Sequence, residues 1–105
     1  MINGIGAAIS GILAAGQRID ASARNIANAN TDGFTPVTTT RETTEGGGVS
    51  SDIIPRETPS FQNVDLVQET VNITIAEAEF RANLAVLETI SDLTDELLNT
   101  FDDEA

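Results

Sequence analysis

The 105-residue chain contains no cysteine, histidine, lysine, tryptophan or tyrosine. Zinc sites, thiol redox chemistry and imidazole-based catalysis are therefore excluded. Without lysine there is also no Schiff-base chemistry and no phosphate-binding loop of the P-loop type. The five basic residues are all arginines and stand against 17 acids, which gives a net charge of −12. Because phosphate neutralisation supplies much of the affinity for nucleic acids, we expect no nucleic-acid partner.

The N-terminus has no basic residue before its apolar stretch, unlike a secretory signal peptide. Residues 1–17 are uncharged, but they are rich in glycine and alanine and are interrupted by Asn3 and Ser10. We therefore predict no membrane span, and we expect any export to use a route without a cleaved leader. The length fits one small domain.

Residues 1–33 are predicted to form an N-terminal helix with its cap. Small or apolar side chains recur at steps of three and four, which is a heptad spacing. They are Ile2, Ile5, Ile9, Ile12, Gly16, Ile19, Ala23 and Ile26. This spacing predicts a helix over about 2–29, roughly 40 Å long. It should end in the run from Asn28 to Gly33, because asparagine and glycine tolerate the left-handed backbone that ends helices.

Residues 34–63 are predicted to be a flexible arm or a β-hairpin. They hold all three prolines and the Gly46–Gly48 run. Val37–Thr44 is β-prone and Val49–Ile54 is weakly so, and the glycines between them would allow the two to pair. An isolated hairpin is marginal in water, so this segment needs a neighbour to hold it.

Residues 64–105 are predicted to form a C-terminal helix with an acidic tail. Apolar residues at spacings of three and four indicate a helix over about 65–101, near 55 Å long. Its apolar face is too broad for one partner helix to cover. The segment carries a net charge of −10, from Arg81 against eleven acids.

The predicted fold is mainly all-α, with two long antiparallel amphipathic helices of coiled-coil type joined by the β-prone arm, one domain in all. Two helices of this size cannot bury all their apolar surface within one chain. We therefore expect an assembly subunit. The predicted subunit-interface residues are Ile5, Ile9, Ile12, Ile19, Ile26, Val67, Val71, Leu84, Leu87, Leu97 and Phe101.

Both ends of the chain resemble the bacterial flagellar basal-body rod proteins, a family of axial proteins, and the short proximal-rod members in particular. The N-terminal signature is the run Asn25-Ile26-Ala27-Asn28-Ala29-Asn30-Thr31-Asp32-Gly33-Phe34. The C-terminal signature is Asn63-Val64-Asp65, Glu69-Thr70-Val71-Asn72 and Phe80-Arg81-Ala82-Asn83. The chain departs from the family pattern at Glu77-Ala78, in its short middle segment and in its acidic tail past Phe101.

The resemblance implies a structural subunit of the flagellar rod. The terminal helices would pair in a coiled-coil layer of a helical tube that crosses the periplasm and transmits torque. The implied partners are copies of the chain, sibling rod proteins and the flagellar type III export apparatus. The resemblance implies no cofactor, no metal and no small-molecule substrate.

Two other functions stay open from the sequence. A small secreted helical hairpin, or a non-polymerising adaptor that binds flagellar rod or export components, would use the same helices. An enzyme is the least favoured alternative. Paired carboxylates are not excluded by spacing, but there is no motif for acid–base catalysis and no rigid pocket is predicted.

Overall fold

The structure, a computed structural model, describes residues 2–56 and 64–104, with side chains from residue 4 onward. Two long helices are joined by a small antiparallel hairpin, so the mainly helical prediction is confirmed. The elements are α1 (Ile2–Ala27), β1 (Val37–Thr43), β2 (Val49–Pro55) and α2 (Leu66–Glu104). The described chain is elongated, with extents of 68 × 25 × 14 Å.

Helix α1 ends two residues before the predicted position, at the expected Asn/Gly turn. The backbone N–H and the side-chain Nδ2 of Asn28 both donate to the carbonyl oxygen of Arg24, at 3.1 and 2.9 Å. Gly33 then adopts a left-handed φ of 76°. The helix end is therefore determined locally, by an amide that satisfies a free carbonyl and a glycine that turns the chain.

The middle segment forms the hairpin alternative of the prediction. Strands β1 and β2 pair in register from Val37 opposite Pro55 to Thr43 opposite Val49. The connecting glycines have φ angles of 86°, 92° and 107°. Because residues with a side chain rarely adopt such φ angles, the three consecutive glycines are what allows this turn to close.

The two helices pack antiparallel, with contacts at seven-residue intervals along α1. The contacting pairs are Gly4 with Ile90, Gly11 with Asn83, Arg18 with Glu79, and Asn25 with Glu69. A Cβ atom added to Gly11 would lie 2.5 Å from Nδ2 of Asn83. Glycine at position 11 therefore allows the close approach of the two helices.

The side of α1 that faces α2 is not the side with the isoleucine series, which the sequence predicted for the subunit interface. The buried apolar residues of the described chain are five alanines and one proline: Ala8, Ala14, Ala15, Ala21, Ala76 and Pro36. The isoleucine series lies on a neighbouring side of α1, where Ile5, Ile9 and Ile26 are exposed. Small residues allow the closer approach of backbones, and this approach determines the intrachain pairing.

The hairpin packs against a further side of α1. The N–H of Val49 donates to the hydroxyl of Ser10 at 3.0 Å, and that hydroxyl donates to the carbonyl of Ala7 at 2.7 Å. A Cβ atom on Gly48 would lie 2.8 Å from this hydroxyl oxygen. The neighbour that the hairpin was predicted to need is therefore α1 of the same chain.

Helix α2 continues three residues beyond its predicted end and extends past the start of α1. Ile90 lies against Gly4, and residues 91–104 are all exposed. We call this segment, residues 91–104, the α2 overhang. Neither described helix contains a stretch apolar enough to span a bilayer.

Candidate interaction surfaces

A buried polar cluster joins α1, the hairpin and α2 around Asn25. The side chain of Asn25 is 0% exposed. Its Oδ1 accepts from the N–H of Val37 and its Nδ2 donates to the carbonyl of Val37, both at 2.8 Å. Asn25 therefore pairs with the first residue of β1 as a neighbouring strand would, and this fixes the hairpin to α1.

Glu69 connects the same cluster to α2. Its side chain is 1% exposed, and its Oε1 accepts from Nδ2 of Asn25 at 3.1 Å and from Nη2 of Arg56 at 3.0 Å. The backbone N–H of Arg56 donates to the carbonyl of Pro36 at 2.8 Å. A buried carboxylate is costly unless it is paired and hydrogen-bonded, and here it has both a cation and an amide donor.

A second ion cluster lies further along α2. Oε1 of Glu79 contacts Nη1 of Arg18 on α1 at 3.1 Å, and Oε2 contacts Nη2 of Arg41 on β1. The three side chains are each about a third exposed. One carboxylate thus joins all three parts of the fold, and its stabilisation is modest because water screens the charges.

A small polar cavity lies between the two clusters. It has a volume of about 90 Å³ and is lined by Arg18, Arg56, Glu69 and Asn72, among others. Sites for small molecules are typically about 300 to 1,000 Å³, so this cavity has room for only a few waters. In the part of the chain that the structure describes, no three acidic side chains come close enough to hold a metal ion.

The polar residues of the two signatures make contacts within the chain. Besides Asn25 and Glu69, Oδ1 of Asp65 caps α2 by accepting from the N–H groups of Val67 and Gln68, at 3.0 and 3.2 Å. Thr31 donates to Oδ1 of Asn28 at 3.3 Å. Asn72 accepts from Gln68 at 3.1 Å, whereas Asn30 is exposed. These residues therefore define helix ends and the position of the hairpin.

Asn83 lies where the two helices approach most closely, opposite Gly11. Its Nδ2 donates to the carbonyl of Glu79 at 2.9 Å, so its hydrogen bond stays within α2. The amide is half-buried. Asn83 therefore occupies a position where its amide can set the register of the two helices.

The apolar residues predicted for a subunit interface are distributed over the outside of the described chain. Ile12, Ile19 and Leu87 are half-buried. The exposed ones are Ile5, Ile9, Ile26, Val67, Val71, Leu84, Leu97 and Phe101. Among the other signature residues, Ala27, Ala82 and Phe80 are exposed, while Phe34 and Val64 are half-buried. Asn63 lies outside the described residues.

Three residues with structural roles were missed in the sequence. Arg56 and Glu79 form the ion pairs between elements, and Ser10 binds the hairpin turn. All three contacts join residues far apart in the chain, so no local spacing identifies them. The only available signal was the scarcity of arginine in an acidic chain, which makes each arginine a candidate ion-pair partner.

Comparison with known proteins supports the resemblance found in the sequence. Residues 5–35 match the family model described as flagella basal body rod protein. The match covers α1 from Ile5 to its end, and the turn that follows, which is under a third of the chain. No curated protein matches the chain. The resemblance to the rod protein family is therefore confirmed over the N-terminal segment.

Proposed function

We propose that the chain is a structural subunit of the flagellar basal-body rod, starting from its match to that family over residues 5–35. Subunits would pack by helix–helix contacts into a helical tube that crosses the periplasm and transmits torque. Their partners would be other copies and sibling rod proteins. The chain would reach this location through the flagellar type III export apparatus.

The observation that carries this proposal is that small apolar residues are buried while large apolar residues are exposed. The intrachain contacts bury alanines, while fifteen large hydrophobic side chains are exposed among the described residues of the two helices. Among them are Leu13 at 65% and Val67 at 74% exposure. Extended exposed apolar surface of this kind marks a protein–protein interface. A subunit that completes its packing against neighbours accounts for it.

The geometry of the helix pair supports packing of the coiled-coil type in the assembled tube. Intrachain contacts recur every seven residues along α1, and the isoleucine series keeps the same period on an adjacent side. A neighbouring helix could therefore follow α1 on that side in the same register. The predicted interface residues of α1, from Ile5 to Ile26, would contact this neighbour.

The proposal is tested in the source bacterium with one interface variant and one matched control. Ile9→Asp adds a charge to an exposed residue of the isoleucine series, whereas Thr43→Asp adds the same charge to an exposed hairpin position opposite the uncharged Val49. We expect Ile9→Asp to abolish motility and to remove the chain from purified basal bodies. Thr43→Asp should retain both. Circular dichroism of both purified chains checks that the fold is unchanged.

A non-polymerising adaptor that binds rod or export components is the second candidate, favoured by the acidic α2 overhang. It would leave motility dependent on the chain while purified basal bodies lack it. Sedimentation velocity adds a second criterion. A rod subunit alone should associate with rising concentration, and an adaptor alone should remain a monomer with unchanged helicity.

A further inference from the structure

We propose that the α2 overhang is a docking surface for a basic amphipathic helix of a different protein. The overhang begins after Ile90, which lies against Gly4 near the start of α1. At 1.5 Å per residue it projects about 20 Å beyond the described start of α1. Every residue from 91 to 104 is exposed, so the described chain leaves this length of helix largely uncovered.

The overhang carries an apolar stripe of the kind that binds a partner helix. Leu93, Leu97 and Phe101 follow each other at intervals of four, and Leu98 adjoins them. All four side chains are at least half exposed. Apolar residues at these spacings lie on one side of a helix and act as anchors in helix-to-helix recognition.

The charge around the stripe has a single sign. The overhang contains six acids and no basic residue; the acids are Asp92, Asp95, Glu96, Asp102, Asp103 and Glu104. Two overhangs packed together would place like charges against each other, which disfavours a second copy at this position. A partner helix with lysine or arginine beside its own apolar stripe would contact the apolar stripe of the overhang and form ion pairs with its acids.

The rest of the chain offers little positive charge to an overhang from another copy. Four of its five arginines already form ion pairs with acids of the same chain; they are Arg18, Arg24, Arg41 and Arg56. Only Arg81 makes no ion pair among the described residues. Charge complementarity therefore points to a different, basic chain as the occupant.

The test uses the full chain and two synthetic helical peptides of about 21 residues, long enough to form helix on binding. Both peptides carry leucine at the a and d positions of each heptad. One has lysine at the flanking positions, and the other has glutamate there. Fluorescence anisotropy should show binding of the lysine peptide, weakening from about 0.05 M to about 0.5 M salt, and no binding of the glutamate peptide. Equal binding of both peptides would refute the charge argument.

Matched variants show whether binding is on the overhang. Asp92→Asn, Asp95→Asn and Glu96→Gln together remove three overhang charges. As a matched control, Glu42→Gln, Glu45→Gln and Asp52→Asn remove three exposed charges from the hairpin segment. The overhang variant should bind the lysine peptide about tenfold more weakly, and the hairpin variant should bind it as the unchanged chain does. Equal losses in both variants would place the peptide elsewhere.

A further variant separates specific docking from general attraction of a cation to an acidic protein. Leu97→Gln leaves the charge unchanged and alters a half-exposed side chain, so the fold should persist. It should also weaken binding about tenfold, because the peptide loses an apolar anchor. An unchanged affinity would overturn the proposal, as would self-association at low salt that depends on the overhang. The inference assigns Leu97 and Phe101, which the sequence predicted for the subunit interface, to a different occupant, and it leaves the α1 interface of the rod proposal unchanged.

Discussion

Replacement of Asn25 by alanine should detach the hairpin from α1 and destabilise the fold. The variant loses two hydrogen bonds to Val37 and one to the buried carboxylate of Glu69. A buried polar group left without a partner costs about 1 to 3 kcal/mol. Water can reach the backbone of the half-buried Val37, and Glu69 keeps its hydrogen bond from Arg56. We therefore expect a total loss of about 3 kcal/mol in the free energy of unfolding, which is less than the sum of three unsatisfied groups.

A loss of this size is large for a chain whose buried apolar residues are mainly alanines. Small domains have total stabilities of about 5 to 15 kcal/mol. With a urea m-value of about 1.5 kcal/mol/M, a change of 3 kcal/mol lowers the unfolding midpoint by about 2 M. The assay is urea denaturation followed by circular dichroism, combined with hydrogen exchange of the Val37 amide, which should become fast.

The matched control is Asn30→Ala, because Asn30 belongs to the same motif and is exposed. Its free energy of unfolding should change by less than about 0.5 kcal/mol, as for most surface substitutions. If the two variants lose equal stability, or if Val37 remains as protected in Asn25→Ala as in the unchanged chain, then the assigned role of Asn25 is wrong.

Two further predictions concern the helix pair. Gly16→Ala should stabilise the chain by about 0.5 to 1 kcal/mol, because its Cβ meets nothing, whereas Gly11→Ala should lose that gain since its Cβ would displace the amide of Asn83. Thermal melts compare them, and equal stabilisation would contradict the close approach. Glu79→Gln should cost about 0.5 to 1 kcal/mol, less at high salt, while the exposed Glu77→Gln should cost almost nothing. Equal or salt-independent effects would argue against the Glu79 ion cluster.

The N-terminal signature shows how far the sequence could specify the candidate site. Its spacing identified a helix end, and Asn28 and Gly33 have that local role. The sequence placed Asn25 only in the family signature, and the structure shows its amide paired with Val37, twelve residues away. A hydrogen bond to a strand that packs on the helix depends on where the hairpin lies, which the spacing of a motif does not encode.

The sequence by itself determined what depends on neighbouring residues: two long helices, the position where α1 ends, and a glycine turn between two β-prone runs. The tertiary structure decided which side of α1 meets α2. Heptad spacing identified an isoleucine side, but the side with Gly11 and Ala15 allows the backbones to approach closely and leaves room for the hairpin beside it. It also decided that Glu69 and Glu79 join all parts of the fold, because ion pairs depend on proximity in space.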